Sequence, residues 1–141
     1  YLFGGLYSFA RQIRQKNISK DGFQFAVSNF LGNTLKQIDG LPESTFDEIV
    51  DKYVEMNLAH PFMEGNGRST RIWLDLILKK RLTTCVDWSK ISKTNYMYAM
   101  VQSSENSNFL KGFLKDALTS KIDSREMFMK GIDYSYYYEE N

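Results

Sequence analysis

Residues 60–71 bring together side chains that suit the binding of a phosphorylated ligand. This stretch, HPFMEGNGRSTR, holds the only histidine of the 141-residue chain, a carboxylate, two glycines and two arginines. Glycine allows the backbone to approach a ligand closely and to adopt a positive φ angle. Arg68 and Arg71 are three residues apart, so they share one face of a helix and lean back toward its N-terminus. Both guanidinium groups can therefore reach an anion seated on the loop.

His60 and Glu64 extend this interpretation from anion binding to group transfer. Near neutral pH an imidazole can accept a proton from a hydroxyl. A carboxylate beside a bound phosphate is repulsive unless a cation lies between them, and Mg²⁺ held by one carboxylate plus phosphate oxygens is the usual arrangement. The residues alone indicate transfer of a phosphorus-containing group to a hydroxyl, with His60 as the base. The simpler alternative is a corner between two helices, in which His60 caps one of them.

Two helices are expected to hold this loop. Apolar spacing predicts a helix that begins at a capping box formed by Thr45 and Glu48 and delivers His60 at its end. A second helix, over residues 68–82, is apolar nearly all round, which predicts a central, buried element. The loop thus leads into the N-terminus of a helix, where amides without an intrahelical partner favour an anion.

The rest of the chain predicts further helices and one hairpin. Helical periodicity covers residues 2–14, 26–38, 92–103 and 108–118, and a short helix over 125–130 is predicted to end at Gly131. In the first helix Arg14 falls opposite the apolar stripe. Because that stripe is already under way at Tyr1, we expect the natural N-terminus to lie further upstream. Residues 83–88 are predicted to be a loop, and Asp21-Gly22 between two short extended runs predicts a β-hairpin.

Composition excludes several classes of function. The chain is 43% hydrophobic and 15% aromatic, so it can bury a core as one all-helical domain. A net charge of +1 gives no reason to expect binding to nucleic acid or to a membrane surface. One cysteine excludes an internal disulfide and, with one histidine, a Cys/His zinc site. No apolar run approaches the roughly 18 residues that span a bilayer, so a cytoplasmic location is expected.

Residues 60–71 resemble the signature of Fic-domain proteins, H-P-F-x-(D/E)-G-N-G-R-x-x-R, at every defined position. Fic enzymes mostly transfer AMP from ATP to a Ser, Thr or Tyr hydroxyl of a protein. The resemblance implies an all-α, Fic-type helical bundle in which His60 is the base, Glu64 binds Mg²⁺ and Phe62 anchors the loop. It implies that Arg71 binds the γ-phosphate of ATP. The residues implied for the α- and β-phosphates are Gly65, Asn66, Gly67 and Arg68.

Gly67 bears on which group is transferred. Kinase-like relatives of Fic enzymes usually carry lysine at this position, so the glycine favours AMP transfer over phosphate transfer. The resemblance also implies that the hairpin is a flap that aligns a target segment over His60, by main-chain pairing at an exposed strand edge. The flap residues are Ile18, Ser19, Lys20, Asp21, Gly22 and Phe23.

The end of the chain resembles the inhibitory helix of Fic proteins, (S/T)-x-x-x-E-(G/N), which one class carries at its C-terminus. Ser135 and Glu139 fit this pattern, whereas Glu140 stands where Gly or Asn is usual. The resemblance implies a catalytic domain over residues 1–134 and an inhibitory segment over residues 135–141 that packs on it. A pair between Glu139 and Arg71 would keep that arginine from the γ-phosphate. Three tail phenols are candidates for self-modification: Tyr136, Tyr137 and Tyr138.

The sequence therefore predicts a bacterial protein adenylyltransferase that uses ATP and Mg²⁺ and is inhibited by its own tail. The alternatives within the Fic fold are a transferase of another phosphate-containing group, a de-AMPylase and a non-catalytic module that binds a partner. The expected macromolecular partner is a target protein, with type II topoisomerase subunits as candidates by analogy with bacterial relatives. Self-association into a homo-oligomer is a further expectation taken from tail-inhibited relatives.

Overall fold

The structure is a computed structural model that describes residues 13–14, 17–20, 23–25, 27–62 and 65–139, with backbone only for Lys20 and Phe23. The helices of this part of the chain are α1 (Leu31–Asp39), α2 (Phe46–Ala59), α3 (Asn66–Leu82), α4 (Lys93–Gln102), α5 (Asn108–Asp116) and α6 (Arg125–Glu139). The strands are β1 (Ser19–Lys20), β2 (Phe23–Gln24), β3 (Cys85–Val86) and β4 (Leu118–Thr119). The predicted all-α class with one small hairpin, β1–β2, is confirmed.

None of the helices in the described residues combines the length and the apolar character needed to cross a membrane.

Helices α2 and α3 form the centre of the bundle and carry the predicted loop between them. The capping box that begins α2 is confirmed: Thr45 Oγ1 accepts from the Glu48 N–H at 3.2 Å, and Glu48 Oε1 accepts from the Thr45 N–H at 2.9 Å. Helix α3 begins two residues earlier than predicted, at Asn66. It packs on α2 and α6 through one part of its circumference, so Ile72 and Leu76 stay exposed. The helix is therefore central, as predicted, but it is not buried on every side.

A second ladder, β3–β4, lies where the sequence predicts a loop. Cys85 pairs with Thr119 and Val86 with Leu118, antiparallel. Asp75 on α3 fixes this region, because its two carboxylate oxygens accept from the Val86 N–H at 2.8 Å and from the Trp88 indole N–H at 3.0 Å. Burial raises the pKa of Asp75 to about 6, although both N–H donors favour its ionised form. Asp75 thus ties α3 to the short 3₁₀ helix Trp88–Lys90, on which α6 packs.

Helix α6 runs without interruption from Arg125 to Glu139. The prediction that a helix ends at Gly131 is wrong, because Met127 and Tyr138, on either side of this glycine, are both buried against the bundle. Gly131 faces Trp88, where an added Cβ would lie 3.7 Å from the indole Cδ1. Ser135 and Glu139 therefore lie on the last turns of a helix that packs on α3 and α4.

Candidate active site

His60 lies at the C-terminal end of α2 in the left-handed backbone region, with φ of 49°. Its backbone N–H donates to the Met56 carbonyl at 3.1 Å and so closes the helix. The ring of Phe25, the residue after β2, stacks on the imidazole with 3.9 Å between ring centroids and 15° between planes. The hairpin therefore lies beside His60. Phe25 was not among the predicted site residues, since its sequence position gives no sign of this contact.

Arg14 holds the carbonyl end of α2 and the start of the loop. Its guanidinium donates to the carbonyl oxygens of Ala59, at 2.8 Å, and of His60, and its backbone N–H donates to the Pro61 carbonyl at 2.8 Å. Only 3% of this residue is exposed, a burial that its charge and its position opposite the apolar stripe did not predict. The physical reason is that the last carbonyls of a helix carry a partial negative charge that attracts a cation. Residues 1–12, most of the predicted first helix, lie outside the described residues.

The loop is held by a pair of hydrogen bonds between Phe62 and Asn66. The Phe62 N–H donates to Asn66 Oδ1 at 2.8 Å, and Asn66 Nδ2 donates to the Phe62 carbonyl at 2.6 Å. Gly65 turns the chain into α3 with φ of 76°, and no described side chain caps this end of the helix. The arrangement directs the start of α3 toward the site, as an anion-binding helix N-terminus requires. Glu64, the predicted Mg²⁺ ligand, lies outside the described residues.

Arg71 is deeply buried, with 5% of its side chain exposed. On the edge formed by Nε and Nη2 it meets α6: Nε donates to Ser135 Oγ at 3.0 Å, and Nη2 donates to the Ser135 carbonyl at 3.0 Å and to Glu139 Oε1 at 3.1 Å. On the other side Nη1 donates to the Tyr96 hydroxyl at 3.2 Å. Burial lowers the pKa of Arg71, but Tyr96, Tyr53 and Glu139 offset this, so the pKa is raised overall.

Arg68 reaches the same carboxylate from the solvent side. Its Nε lies 3.4 Å from Glu139 Oε2, its side chain is 35% exposed, and its guanidinium lies 5.0 Å from the centre of the Tyr136 ring. Glu139 therefore spans both arginines, with one oxygen on each. A Cβ added to Gly67 would lie only 2.9 Å from Glu139 Oε1, so the glycine makes room for the carboxylate. An anionic group thus lies against the first turn of α3, where the sequence predicts phosphate binding.

The three predicted tail tyrosines have different environments. Tyr138 is 3% exposed, and its hydroxyl lies 2.7 Å from the carbonyl oxygens of both Trp88 and Ile91. Burial raises the pKa of this phenol well above its usual range. Tyr136 and Tyr137 are exposed. In this arrangement only the latter two hydroxyls are accessible to a reacting group.

The hairpin has the predicted antiparallel pairing. Ser19 pairs with Gln24 and Lys20 with Phe23, and the Phe25 N–H donates to the Ile18 carbonyl at 3.1 Å. Asp21 and Gly22, the predicted turn, lie outside the described residues. Within the described residues no group of three or more His, Cys, Asp or Glu side chains could hold a metal ion. Because the prediction relies on Glu64 plus phosphate oxygens, it does not require such a group.

A sequence model of the Fic/DOC family matches residues 1–78, which include His60 and both site arginines. The chain belongs to the Fic/DOC family. Over 140 residues it is 29% identical to a protein adenylyltransferase, VbhT, from Bartonella schoenbuchensis. That alignment covers 89% of this chain but only 29% of the length of VbhT. The family assignment therefore rests on the sequence model and on the site residues that it includes.

Solved structures of Fic proteins have the same fold. The BepC protein of Bartonella tribocorum, with bound AMPPNP, is 24% identical with a TM-score of 0.64, over 75% of this chain and 57% of BepC. The N-terminal Fic domain of a Bep effector from Bartonella quintana, with bound ADP, is 20% identical with a TM-score of 0.65. This second match covers 81% of this chain and 58% of the other. The Fic-type helical bundle predicted from the signature is confirmed.

Proposed function

We propose that this Fic/DOC protein is an adenylyltransferase that transfers AMP from ATP to a Ser, Thr or Tyr hydroxyl of a target protein. The observation that supports this most is the position of the Glu139 carboxylate, bound by Arg68 and Arg71 against Gly67. An anion already occupies the first turn of α3, on the loop that His60 begins. The adenylyltransferase name of VbhT and the adenine nucleotides in the two Bep structures agree with this proposal.

In the proposed reaction each part of the loop has one role. The first turn of α3 and Arg68 bind the α- and β-phosphates, and the guanidinium of Arg71 binds the γ-phosphate through its planar fork. His60 takes the proton from the target hydroxyl, whose oxygen then bonds to the α-phosphorus. The bond from the α-phosphorus to the bridging oxygen breaks, and pyrophosphate leaves. Phe25, stacked on the imidazole, holds the ring of His60 in place.

Glu64 would hold the Mg²⁺ that accompanies ATP. It directly precedes Gly65, whose positive φ turns the chain into α3, so in the sequence it adjoins the phosphate-binding amides. One carboxylate plus phosphate oxygens is a donor set that suits Mg²⁺. When bound, the ion would neutralise charge on the phosphates.

The same geometry supports inhibition by the tail. Glu139 takes the positions on Arg71 and Arg68 that the phosphates of ATP need, so ATP bound beside it would lie in an unproductive pose. Removing one partner of a buried charge pair costs several kcal/mol, and an exposed pair is worth far less. With Arg71 buried and Glu139 34% exposed, an intermediate value of about 1.4–4 kcal/mol fits. The tail would then slow transfer by roughly 10- to 1000-fold.

Self-modification of the tail is proposed for Tyr136 and Tyr137, whose exposed hydroxyls lie next to Glu139 in the chain. Tyr138 is expected to stay unmodified, because its hydroxyl is buried against the carbonyls of Trp88 and Ile91. Mass spectrometry of the protein after incubation with ATP and Mg²⁺ checks this. AMP on Tyr138 alone, or no AMP on the tail, would remove the proposal.

The reaction is tested by following label from α-³²P-ATP and, separately, γ-³²P-ATP onto protein in a bacterial lysate with Mg²⁺. Three proteins are compared: the parent, Glu139→Gly, and Glu139→Gly with His60→Ala. We expect label from the α position only, strongest in Glu139→Gly and absent without His60. Label from the γ position would indicate a phosphate transferase, and no label in any sample would contradict AMP transfer. A labelled band at the mass of a type II topoisomerase subunit would identify that target class.

A further inference from the structure

Two buried phenols, Tyr53 on α2 and Tyr96 on α4, lie behind Arg71. Their hydroxyl oxygens are 2.7 Å apart, and Tyr96 also accepts from Arg71 Nη1 at 3.2 Å. Tyr53 has no exposed surface, and Tyr96 is 3% exposed. Neither residue belongs to the signature loop or to the tail. The three side chains form a continuous polar chain that crosses from α2 through α4 to α3.

The direction of these hydrogen bonds follows from the chemistry of the groups. A guanidinium has only donors, so the Tyr96 oxygen accepts from Arg71, and the two phenols share one further hydrogen bond between them. Burial raises the pKa of Tyr53 well above its usual range, so this phenol keeps its proton and stays neutral. Tyr53 therefore does not neutralise the positive charge of Arg71. The hydrogen bond from Arg71 to the Tyr96 hydroxyl instead fixes the position of the guanidinium.

The tail and the phenols bind opposite sides of the guanidinium. Ser135 and Glu139 occupy the edge formed by Nε and Nη2, whereas Tyr96 holds Nη1. A planar guanidinium that is fixed at Nη1 presents its Nε–Nη2 edge in one direction, and this edge can bind two oxygens of a phosphate in parallel. A phosphate that replaces the tail therefore meets a guanidinium edge of Arg71 that is already oriented.

We propose that the Tyr53–Tyr96 hydroxyl pair positions Arg71 for the third phosphate of the nucleotide, and so determines the preference for a triphosphate over a diphosphate. The proposal rests on the proposed function, in which Arg71 binds the γ-phosphate once Glu139 leaves. Tyr96 stacks on Tyr138 with 4.5 Å between ring centroids, so displacement of α6 uncovers one face of its ring. Tyr53 keeps the hydroxyl of Tyr96 in place at that moment, because its own hydroxyl contact is with α4 and not with α6.

The test measures selectivity between phosphate numbers and not activity alone. Binding of α,β-methylene ATP and of α,β-methylene ADP, neither of which can be cleaved at the reacting bond, is measured by calorimetry with Mg²⁺. The reference protein is Glu139→Gly, and Tyr96→Phe, Tyr53→Phe and Tyr98→Phe are each added to it. Tyr98 is the matched control, a half-exposed tyrosine on the same helix α4. Phenylalanine removes one hydroxyl and keeps the ring in each case.

We expect Tyr96→Phe to reduce the affinity ratio of the triphosphate to the diphosphate by roughly tenfold, the size of one hydrogen bond to a charged group. Most of this change should be lost triphosphate affinity, with diphosphate affinity nearly constant. Tyr53→Phe is expected to reduce the ratio by about two- to threefold, and Tyr98→Phe to leave it unchanged. A general loss of packing would lower both affinities together and leave the ratio as it was.

Each other outcome overturns the proposal in a distinguishable way. An unchanged ratio in Tyr96→Phe, while Glu139→Gly still transfers AMP, overturns the positioning role and leaves the proposed function intact. If Glu139→Gly itself shows no preference for the triphosphate, the γ-phosphate role of Arg71 fails and the positioning role fails with it. Thermal unfolding is measured on all variants. If Tyr96→Phe does not fold, Tyr53→Phe decides, and an unchanged ratio there overturns the proposal.

Discussion

Arg68 and Arg71 lie one turn apart on α3 and bind the same carboxylate, but their surroundings differ. Arg71 is 5% exposed and donates to Ser135, Glu139 and Tyr96, whereas Arg68 is 35% exposed and meets Glu139 at 3.4 Å. A pair that is buried and fully hydrogen-bonded is costly to break, and an exposed pair is worth little because water and salt screen it. Two arginines from one signature therefore need not contribute equally. We expect Arg71 to contribute more than Arg68 both to catalysis and to binding of the tail.

The largest expected difference between the two arginines is in catalysis. In the Glu139→Gly background, Arg71→Lys is expected to reduce AMP transfer by roughly 100-fold, and Arg68→Lys by roughly 5- to 10-fold. A lysine keeps the charge but loses the planar fork, and the buried Tyr96 hydroxyl would lose the hydrogen bond that Arg71 donates to it. The measurement is the initial rate with labelled ATP over a range of ATP concentrations. Equal losses for the two variants would show that burial does not set the importance of these side chains.

A second difference is expected in the stability of the parent protein. Arg71→Lys should lower the free energy of unfolding by about 2 kcal/mol, since Ser135 Oγ, the Ser135 carbonyl and the Tyr96 hydroxyl lose a fixed partner. Arg68→Lys should change it by less than about 0.5 kcal/mol, as for other exposed ion pairs. Urea unfolding of the two variants measures both values. A larger loss of unfolding free energy for Arg68→Lys than for Arg71→Lys would show that the exposed arginine contributes more to stability.

The tail can also be loosened on its buried side, at a hydroxyl that is bonded to backbone carbonyls. Tyr138→Phe removes the hydroxyl that contacts the carbonyls of Trp88 and Ile91, which should weaken the docking of α6 by about 1 kcal/mol. We expect AMP transfer by the otherwise unchanged protein to rise by roughly fivefold. Tyr137→Phe, one position earlier and exposed, is the matched control and should not change AMP transfer to other proteins, which is the rate compared here. Equal rates for the two variants would show that the docking of Tyr138 does not contribute to inhibition by the tail.

The smallest expected effect is that of salt. Raising the ionic strength from about 0.05 M to about 0.5 M screens the exposed Arg68–Glu139 pair far more than the buried Arg71–Glu139 pair. If Arg71 dominates, the rate of the parent relative to Glu139→Gly should change by less than about threefold over this range. A rise of tenfold or more in this relative rate would show that Arg68, and not Arg71, contributes most to the binding of Glu139.

The positions of the loop residues could be predicted from the sequence because they depend on local geometry. The capping box at Thr45, the helix that ends at His60 and the turn at Gly65 involve contacts within a few residues, which spacing alone encodes. The identity of the loop came from its resemblance to the Fic signature, since spacing by itself also allowed a simple corner between helices.

The features that sequence reasoning missed depend on partners far along the chain. Arg14 caps a helix that ends 45 residues later, and β3 pairs with a strand more than 30 residues away. Gly131 was predicted to end a helix because glycine often does so, yet the packing of Tyr138 against Trp88 and Ile91 carries α6 through it. Local propensity is a weak guide where tertiary contacts of this kind compete with it.

The most direct test of inhibition by the tail is the rate of AMP transfer by the parent, by Glu139→Gly and by Glu126→Gly. Glu126 lies in the first turn of the same helix with its side chain 80% exposed, so its replacement controls for the effect of a glycine in α6. We expect Glu139→Gly to be faster than the parent by roughly 10- to 1000-fold at saturating ATP and Glu126→Gly not to be. Equal rates for all three proteins would overturn inhibition by the tail, because the carboxylate that lies on Arg71 and Arg68 would then not hinder the nucleotide.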